Sequence, residues 1–318
     1  MYPWRRTDSN RYWCFYKDII DNFEKSCRVK YPNQSILFLD NTYQNLNQVT
    51  DIVKEQSCDV NFIFSLVDPP YPWNYLKEQL TLNFPDKKFI FVGNDHAPDF
   101  EINSGFIWFY KNLQKYSDDE ILITKVDYTF LNYNYKSHNH RTKLIDLMTD
   151  QNLIECGYTS YPRTPENFKH FESHSFTLSL GDIKIWQTHF LNIVSETVFR
   201  LKSEPLMITE KVFKPVLGLR PFIINGTTRY YHELRTMGFD CFEDIFPVRE
   251  LEIELDTLDA TMDKNHQIIC DVIKDLQHKN LPELYQQLLP RLIANRNHWE
   301  KLCQDLTKKF CVDPIELP

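Results

Sequence analysis

Short apolar runs alternate along the chain with longer amphipathic stretches. The runs Ser35–Leu39 (SILFL), Val60–Val67 (VNFIFSLV), Lys88–Val92 (KFIFV), Glu120–Lys125 (EILITK), Tyr128–Leu131 and Pro221–Asn225 (PFIIN) predict strands. They are apolar throughout rather than alternating, which suits a parallel sheet covered on both faces. Helical spacing falls between and after them, at Gln48–Gln56, Trp73–Thr81, Arg141–Asp150, Tyr230–Met237 and from Leu281 onward. Strands alternating with helices predict an α/β architecture. The polar break Ser117-Asp118-Asp119-Glu120 marks a domain change, giving an expected division into residues 1–125 and 126–318.

Composition narrows what such a fold can do. Hydrophobic residues make up 42% of the 318-residue chain, enough for a sizeable core. Only seven residues are Gly, and neither a G-x-G-x-x-G turn nor a P-loop occurs, so glycine-rich dehydrogenases and NTPases are excluded. The net charge is −8 with no basic half, so a nucleic-acid partner is disfavoured. The eight Cys form no C-x-x-C and read as reduced thiols. The start has no apolar signal core, and no 18-residue apolar run exists. The expected address is the cytoplasm, that of the host if the chain is viral. His138 and His140 form an H-x-H without a third ligand at motif spacing, and there is no D-x-D, so no metal site is expected.

Two segments carry chemistry. In FLNIVSETVFRLKSEPLMITEKVFKPVLGLRPFIINGTTRYYHELRTMGF (Phe190–Phe239), Thr209 can cap a helix that begins at Glu210 and contains Pro215. Gly218 can end that helix, Pro221 starts a buried strand, and Gly238 can close the next helix. Lys211 then sits in a helix first turn, unfavourable to the dipole unless an anion is bound there. The competing interpretation makes Glu210 and Lys214 an i,i+4 pair on a solvated helix. In FLNYNYKSHNHRTKLIDLM (Phe130–Met148) a strand runs into a polar loop and then a helix near Arg141. Open α/β sheets bind ligands at such carboxyl ends, and a guanidinium there can fork onto phosphate oxygens.

These segments resemble two blocks of a set of viral and bacterial glycosyltransferases. YTFLNYNYKSHNHRTKLIDLMTDQNLIECGYTSY is similar to their "LN…HR…LL…GLVSYS" block, and SETVF…MITEKVFKPVLGLRPFIINGTTRYYHELRTMGF to their "ET.F…TEK.FKP…PFI…G…YL..LGF" block. Both resemble, more distantly, the nucleotide-sugar half of the α-1,3-fucosyltransferases. The likeness spans residues 126–245, and residues 1–120 carry none of it. It implies a GT-B fold, with two Rossmann-like domains facing across a cleft. The donor would lie in the second domain and the acceptor in the first, with the C-terminal helix packing back on the first.

The resemblance also implies roles. Arg141 and Lys211 would grip the donor diphosphate, with Thr209 capping the helix, and Glu210 would accept from ribose hydroxyls. Ser195-Glu196 fall at the family's acid near the sugar or ribose, and Asn132 at its Asn before the loop. Tyr158 and Ser160 fall at the strand end near the nucleobase. Two departures bear on sugar and base preference: the family's Arg-rich loop is here NYNYKSHNHR, and its acidic "DESYD" is replaced by PVRELEIELD, whose acids alternate as on an exposed face.

The implied activity is transfer of a sugar from a UDP- or GDP-linked donor to a glycan hydroxyl, inverting, without a metal or other cofactor. A first-domain base is then required. Asp68 in FSLVDPPYPW and the pair Asp95 and His96 in VGNDHAPDFE, each after a strand, are the candidates. The alternatives are a phage-type DNA-base glycosyltransferase and a non-catalytic nucleotide- or glycan-binding module.

Overall fold

The structure, a computed structural model, describes residues 34–39, 50–51, 53–54, 60–65, 73–93, 102–103, 114–134, 136–160, 179–201, 206 and 208–310. By contacts the chain divides into Met1–Lys111 with Cys303–Pro318, and Asn112–Leu302. Residues 114–127 are tied into the second unit. Thr124 N–H donates to Gln187 O at 3.1 Å and Asp127 N–H to Thr188 O at 2.9 Å.

In the first unit, β1 (Gln34–Leu39), β2 (Val60–Ser65), β3 (Lys88–Gly93) and β4 (Ile102–Asn103) form an all-parallel sheet in that order. Helix α1 (Trp73–Asn83) connects β2 to β3. The first three strands lie where the apolar runs predict them.

The second unit holds another four-stranded parallel sheet, in the order β6–β5–β7–β8, formed by β5 (Tyr128–Tyr133), β6 (Gly157–Ser160), β7 (His189–Ser195) and β8 (Phe222–Asn225). Its helices are α2 (Asp118–Ile121), α3 (Asn139–Asp150), α4 (Ile183–Trp186), α5 (Glu210–Leu217), α6 (Tyr230–Thr236), α7 (Val248–Leu251), α8 (Leu258–Gln277) and α9 (Leu281–Phe310), of which the last runs beyond the unit's end. Every residue of β7 and β8 is buried, as strands covered on both faces require. Helix α8 packs on α3, β5 and β8, burying Met262, Ile269, Ile273 and Leu276 at helical spacing. The strand order reverses beside β5: the chain steps to β6 on one side, then returns to β7 on the other. A crevice outside the carboxyl ends of β5 and β7 follows from that reversal.

The protein is therefore an α/β protein built on parallel sheets, and among the described residues no helix is long and apolar enough to cross a membrane. The apolar run Glu120–Lys125 is not a strand. The Glu120 carboxylate accepts from both the N–H (2.8 Å) and the hydroxyl (2.9 Å) of Ser117, which starts α2 instead.

Gly238 closes α6 as expected, at φ +94°. Its N–H bonds Arg235 O and that of Phe239 bonds Leu234 O, each at 2.9 Å, the paired bonds of a Schellman end. Gly218 ends α5, but at φ −85° it needs no glycine for its backbone. The left-handed step falls on Leu219, at φ +52°. Gly218 is required because a Cβ there would meet the Trp186 ring at 2.2 Å.

Candidate functional site

The carboxyl ends of β5, β7 and β8 converge on a buried polar network. Asn132 donates through Nδ2 to Ile193 O (2.9 Å) and Ser195 Oγ (3.1 Å), and accepts from Asn134 Nδ2. Ser195 pairs with Asn225 across the ladder, and Asn225 Nδ2 also reaches Ser195 Oγ at 3.4 Å. On the far side His266 of α8 donates from Nε2 to Asn225 Oδ1 at 3.1 Å. Asn132 and Ser195, both expected to touch a donor, are thus fully buried and bonded to each other. They fix the strand ends. Ser160 is likewise buried, accepting the Asn134 N–H at its hydroxyl, while Tyr158 is half-exposed, edge-on to Tyr128 and Tyr133 at 5.9 and 6.2 Å.

Arg141 lies in the first turn of α3, buried against the end of β7. Nε and Nη2 donate to Glu196 O at 3.2 and 2.7 Å, Nη2 also to Ser195 O at 3.0 Å, and Nη1 to Lys136 O at 3.2 Å. Main-chain carbonyls therefore occupy most of its N–H groups. The fork expected to hold phosphate holds the β7 turn in this structure. His140 joins it, donating from Nε2 to Glu196 O at 2.9 Å. Burial presses His140 down to about 4 against that hydrogen bond, and Arg141 adds to the effect.

Glu196 is wholly buried. Its Oε2 accepts from Thr209 Oγ1 at 2.6 Å and Thr197 N at 3.1 Å, and its Oε1 from Thr209 N at 3.3 Å. Burial raises its pKa, while Lys211 and the Thr209 bond oppose the rise. Thr209 caps α5 where the sequence places the cap, its hydroxyl accepting the Lys211 N–H at 3.4 Å. The Lys211 ammonium donates to Thr197 Oγ1 (3.2 Å), Thr209 Oγ1 (3.2 Å) and Glu210 Oε1 (3.1 Å). Burial pushes the Glu210 carboxyl up, but Lys211 and Lys214 outweigh it and hold the pKa below the usual range. Lys214, one turn further in, is buried and pressed down to about 8, partly offset by Glu210.

The network opens to solvent at one rim. The side chains of Lys211 and Glu210 are 30% and 25% exposed, Lys136 is exposed, and half-buried His138 lies close enough to feel the charge of both lysines. His138 stacks on His140 at 6.0 Å between rings. Burial lowers its pKa, and Arg141, Lys136 and Lys211 each lower it further. So this rim is locally positive on a chain of net charge −8. The N-termini of α3 and α5 also end here and add partial positive charge. Lys136, His138 and Thr197 were not singled out by sequence reasoning as donor contacts, although the first two lie in the loop it picked. Among the described residues no group of three His, Cys, Asp or Glu converges as metal ligands would.

Three sequence candidates, Asp68, Asp95 and His96, lie outside the described residues. The alternating acids after Phe246 do not form an exposed face. Glu252 is turned in to bond Arg235 at 2.6 Å, while Ile253 and Leu255 face out. No protein-family model, curated protein or solved structure matches the chain.

Proposed function

We propose that the protein is a glycosyltransferase that moves a sugar from a UDP- or GDP-linked donor to a hydroxyl of a glycan acceptor, on a two-domain GT-B scaffold. The observation that supports this is the group of cations around His138, with Lys136 and Lys211 at the solvent edge and Arg141 buried beneath, at the carboxyl end where the strand order reverses. As the bond from the sugar's anomeric carbon breaks, the donor's nucleoside diphosphate departs as the leaving group, and preorganised cations with helix N-termini stabilise the charge that develops on it. Lys211 supplies the contact cation, and Arg141 holds the turn beneath it. Glu210, kept ionised, is an acceptor for ligand hydroxyls. Inversion then calls for a base from the first domain, where Asp68, Asp95 and His96 are the sequence candidates.

A thermal-shift panel of UDP-, GDP- and CMP-sugars in the presence of a chelator tests the proposal. A donor at about 100 times its Kd adds roughly 2.7 kcal/mol of stability. Stabilisation by neither UDP- nor GDP-sugars, with or without a divalent cation, overturns the proposal, and stabilisation only after the cation is restored overturns a metal-independent reaction.

A further inference from the structure

Glu196 has the residue type of a general base, yet the geometry gives it another task. It is wholly buried, and both carboxylate oxygens are taken by Thr197 N–H and by the N–H and hydroxyl of Thr209. The Thr209 hydroxyl is saturated in turn. Its O–H goes to Glu196 at 2.6 Å, and its oxygen accepts from Lys211 N–H at 3.4 Å and Lys211 Nζ at 3.2 Å. An ionised carboxylate is acceptor-only, so it fixes the direction of the Thr209 O–H and leaves the lone pairs facing the lysine. Lys211 Nζ then has the two threonine hydroxyls on one side and Glu210 on the other. Of these acceptors Thr209 is buried, whereas Thr197 and Glu210 are partly exposed like the lysine itself, so the bonds to those two are the ones an incoming anion exchanges.

We infer that Glu196 is a positioning residue, which through the Thr209 hydroxyl aims the Lys211 ammonium at the anionic group of the ligand. The inference rests on the anion-binding reading of the rim proposed above. It separates from simple electrostatics by sign. Removing a buried negative charge near an anion site strengthens anion binding if charge alone matters. If aim matters, the same change weakens it, because a Gln amide places a donor against Thr209 N–H or hydroxyl.

The test uses the full chain in four forms: wild type, Glu196→Gln, Thr209→Val and Thr209→Ser. Calorimetry measures the affinity for UDP and for inorganic diphosphate. Glu196→Gln and Thr209→Val are expected to lose about tenfold or more, as for one charge-assisted hydrogen bond, and Thr209→Ser to stay within about threefold of wild type. Unchanged or tighter binding in Glu196→Gln overturns the inference. Should Glu196→Gln not fold, the contrast of Val with Ser at 209 decides alone, and equal affinities there overturn it. A second readout needs no ligand: NMR of ¹³Cε-labelled lysine, with Lys211 assigned by its loss in Lys211→Arg. The Lys211 signal is expected to move in Thr209→Val and return in Thr209→Ser. If wild type binds neither probe, the anion-site reading fails. If the lysine signal is the same in all four forms, the positioning role fails.

Discussion

Helix α5 has a cation at each end, and the two have little in common. Arg220 lies just past its C-terminus, before β8, fully buried. It donates to Gly218 O and Leu219 O at 2.9 Å each and to Tyr285 Oη at 3.2 Å, with the Trp186 and Tyr285 rings 5.9 and 5.3 Å from the guanidinium carbon. A cation among C-terminal carbonyls suits the helix dipole, and it secures the turn in which Leu219 takes a left-handed conformation. Lys211 lies at the N-terminus, where the dipole opposes it, and it stays partly exposed. One end is sealed, its cation wholly buried among main-chain carbonyls, while the other keeps a cation that local stability does not ask for. In a parallel α/β sheet the helices start at the carboxyl ends of the strands, so the mismatched cation falls where ligands bind.

Breaking the sealed end should have the largest effect. Arg220→Leu takes a charged donor from the buried carbonyls of Gly218, Leu219 and Trp186 and from the Tyr285 phenol, and of these Gly218 O keeps its bond from Trp186 Nε1. Each lost charge-assisted bond costs about 1–3 kcal/mol, so urea melts should show a loss on the order of 4 kcal/mol or more. A loss under about 1 kcal/mol would mean that water satisfies these groups and that the end is not sealed.

Gly218→Ala strikes the same end by overpacking. The new methyl would meet the Trp186 ring at 2.2 Å, and that indole is wholly buried, with its Nε1 bonded to Gly218 O at 2.9 Å. The expected cost is roughly 3 kcal/mol, read from the same melts. A near-neutral result would show that the indole has room to move.

How far these two ends were legible in the sequence differs residue by residue. The Thr209 cap and strand β8 after it were legible because capping and apolar runs are local. Strand β7 was not, because His189, Asn192 and Ser195 interrupt its apolar pattern, and Ser195 is bonded to Asn132 and Asn225, 63 and 30 residues away. Helix α8 was overlooked although Thr257 caps it, accepting the Ala260 N–H at 3.1 Å. Arg141 falls in the first turn of α3, as the sequence places it, but its carbonyl partners lie 54 and 55 residues away and no spacing rule finds them. Gly218 had the right position for the wrong reason: the indole that demands it comes from α4, 32 residues earlier.

Histidines sharpen the contrast through pH. At the sealed end burial and Arg220 hold His189 well below its ordinary pKa. At the open end burial takes His140 to about 4 and His266 to about 3. All three are depressed from about 6.5 in the unfolded chain. The folded state therefore keeps them neutral, with its full advantage above pH ~6.5, and loses stability as pH falls through the window toward 4 and 3. Each contributes up to about 1.4 kcal/mol per pH unit there. Glu196 works the other way, since its raised pKa favours the folded state on protonation. Urea melts between pH 4 and 7 should show a shallower acid slope in His266→Asn, by up to that amount. An unchanged slope would mean that His266 is protonated in the folded protein.

The smallest effect on stability separates the two ends most clearly. Lys211→Ala removes a cation from a helix first turn, where its departure relieves the dipole by a few tenths of a kcal/mol, about 0.3–1 at most. Against that stand lost hydrogen bonds to Thr197, Thr209 and Glu210 from a side chain 30% exposed, where solvent replaces part of each. The Thr209–Glu196 bond survives, so the cap remains in place. Melts of the ligand-free variant should lie within about 0.5 kcal/mol of wild type, while the added stability from a nucleoside diphosphate disappears. A ligand-free loss as large as that expected for Arg220→Leu would place Lys211 with the structural cations. The charge at the start of α5 would then be part of the scaffold, and the rim would need another cation to hold an anion.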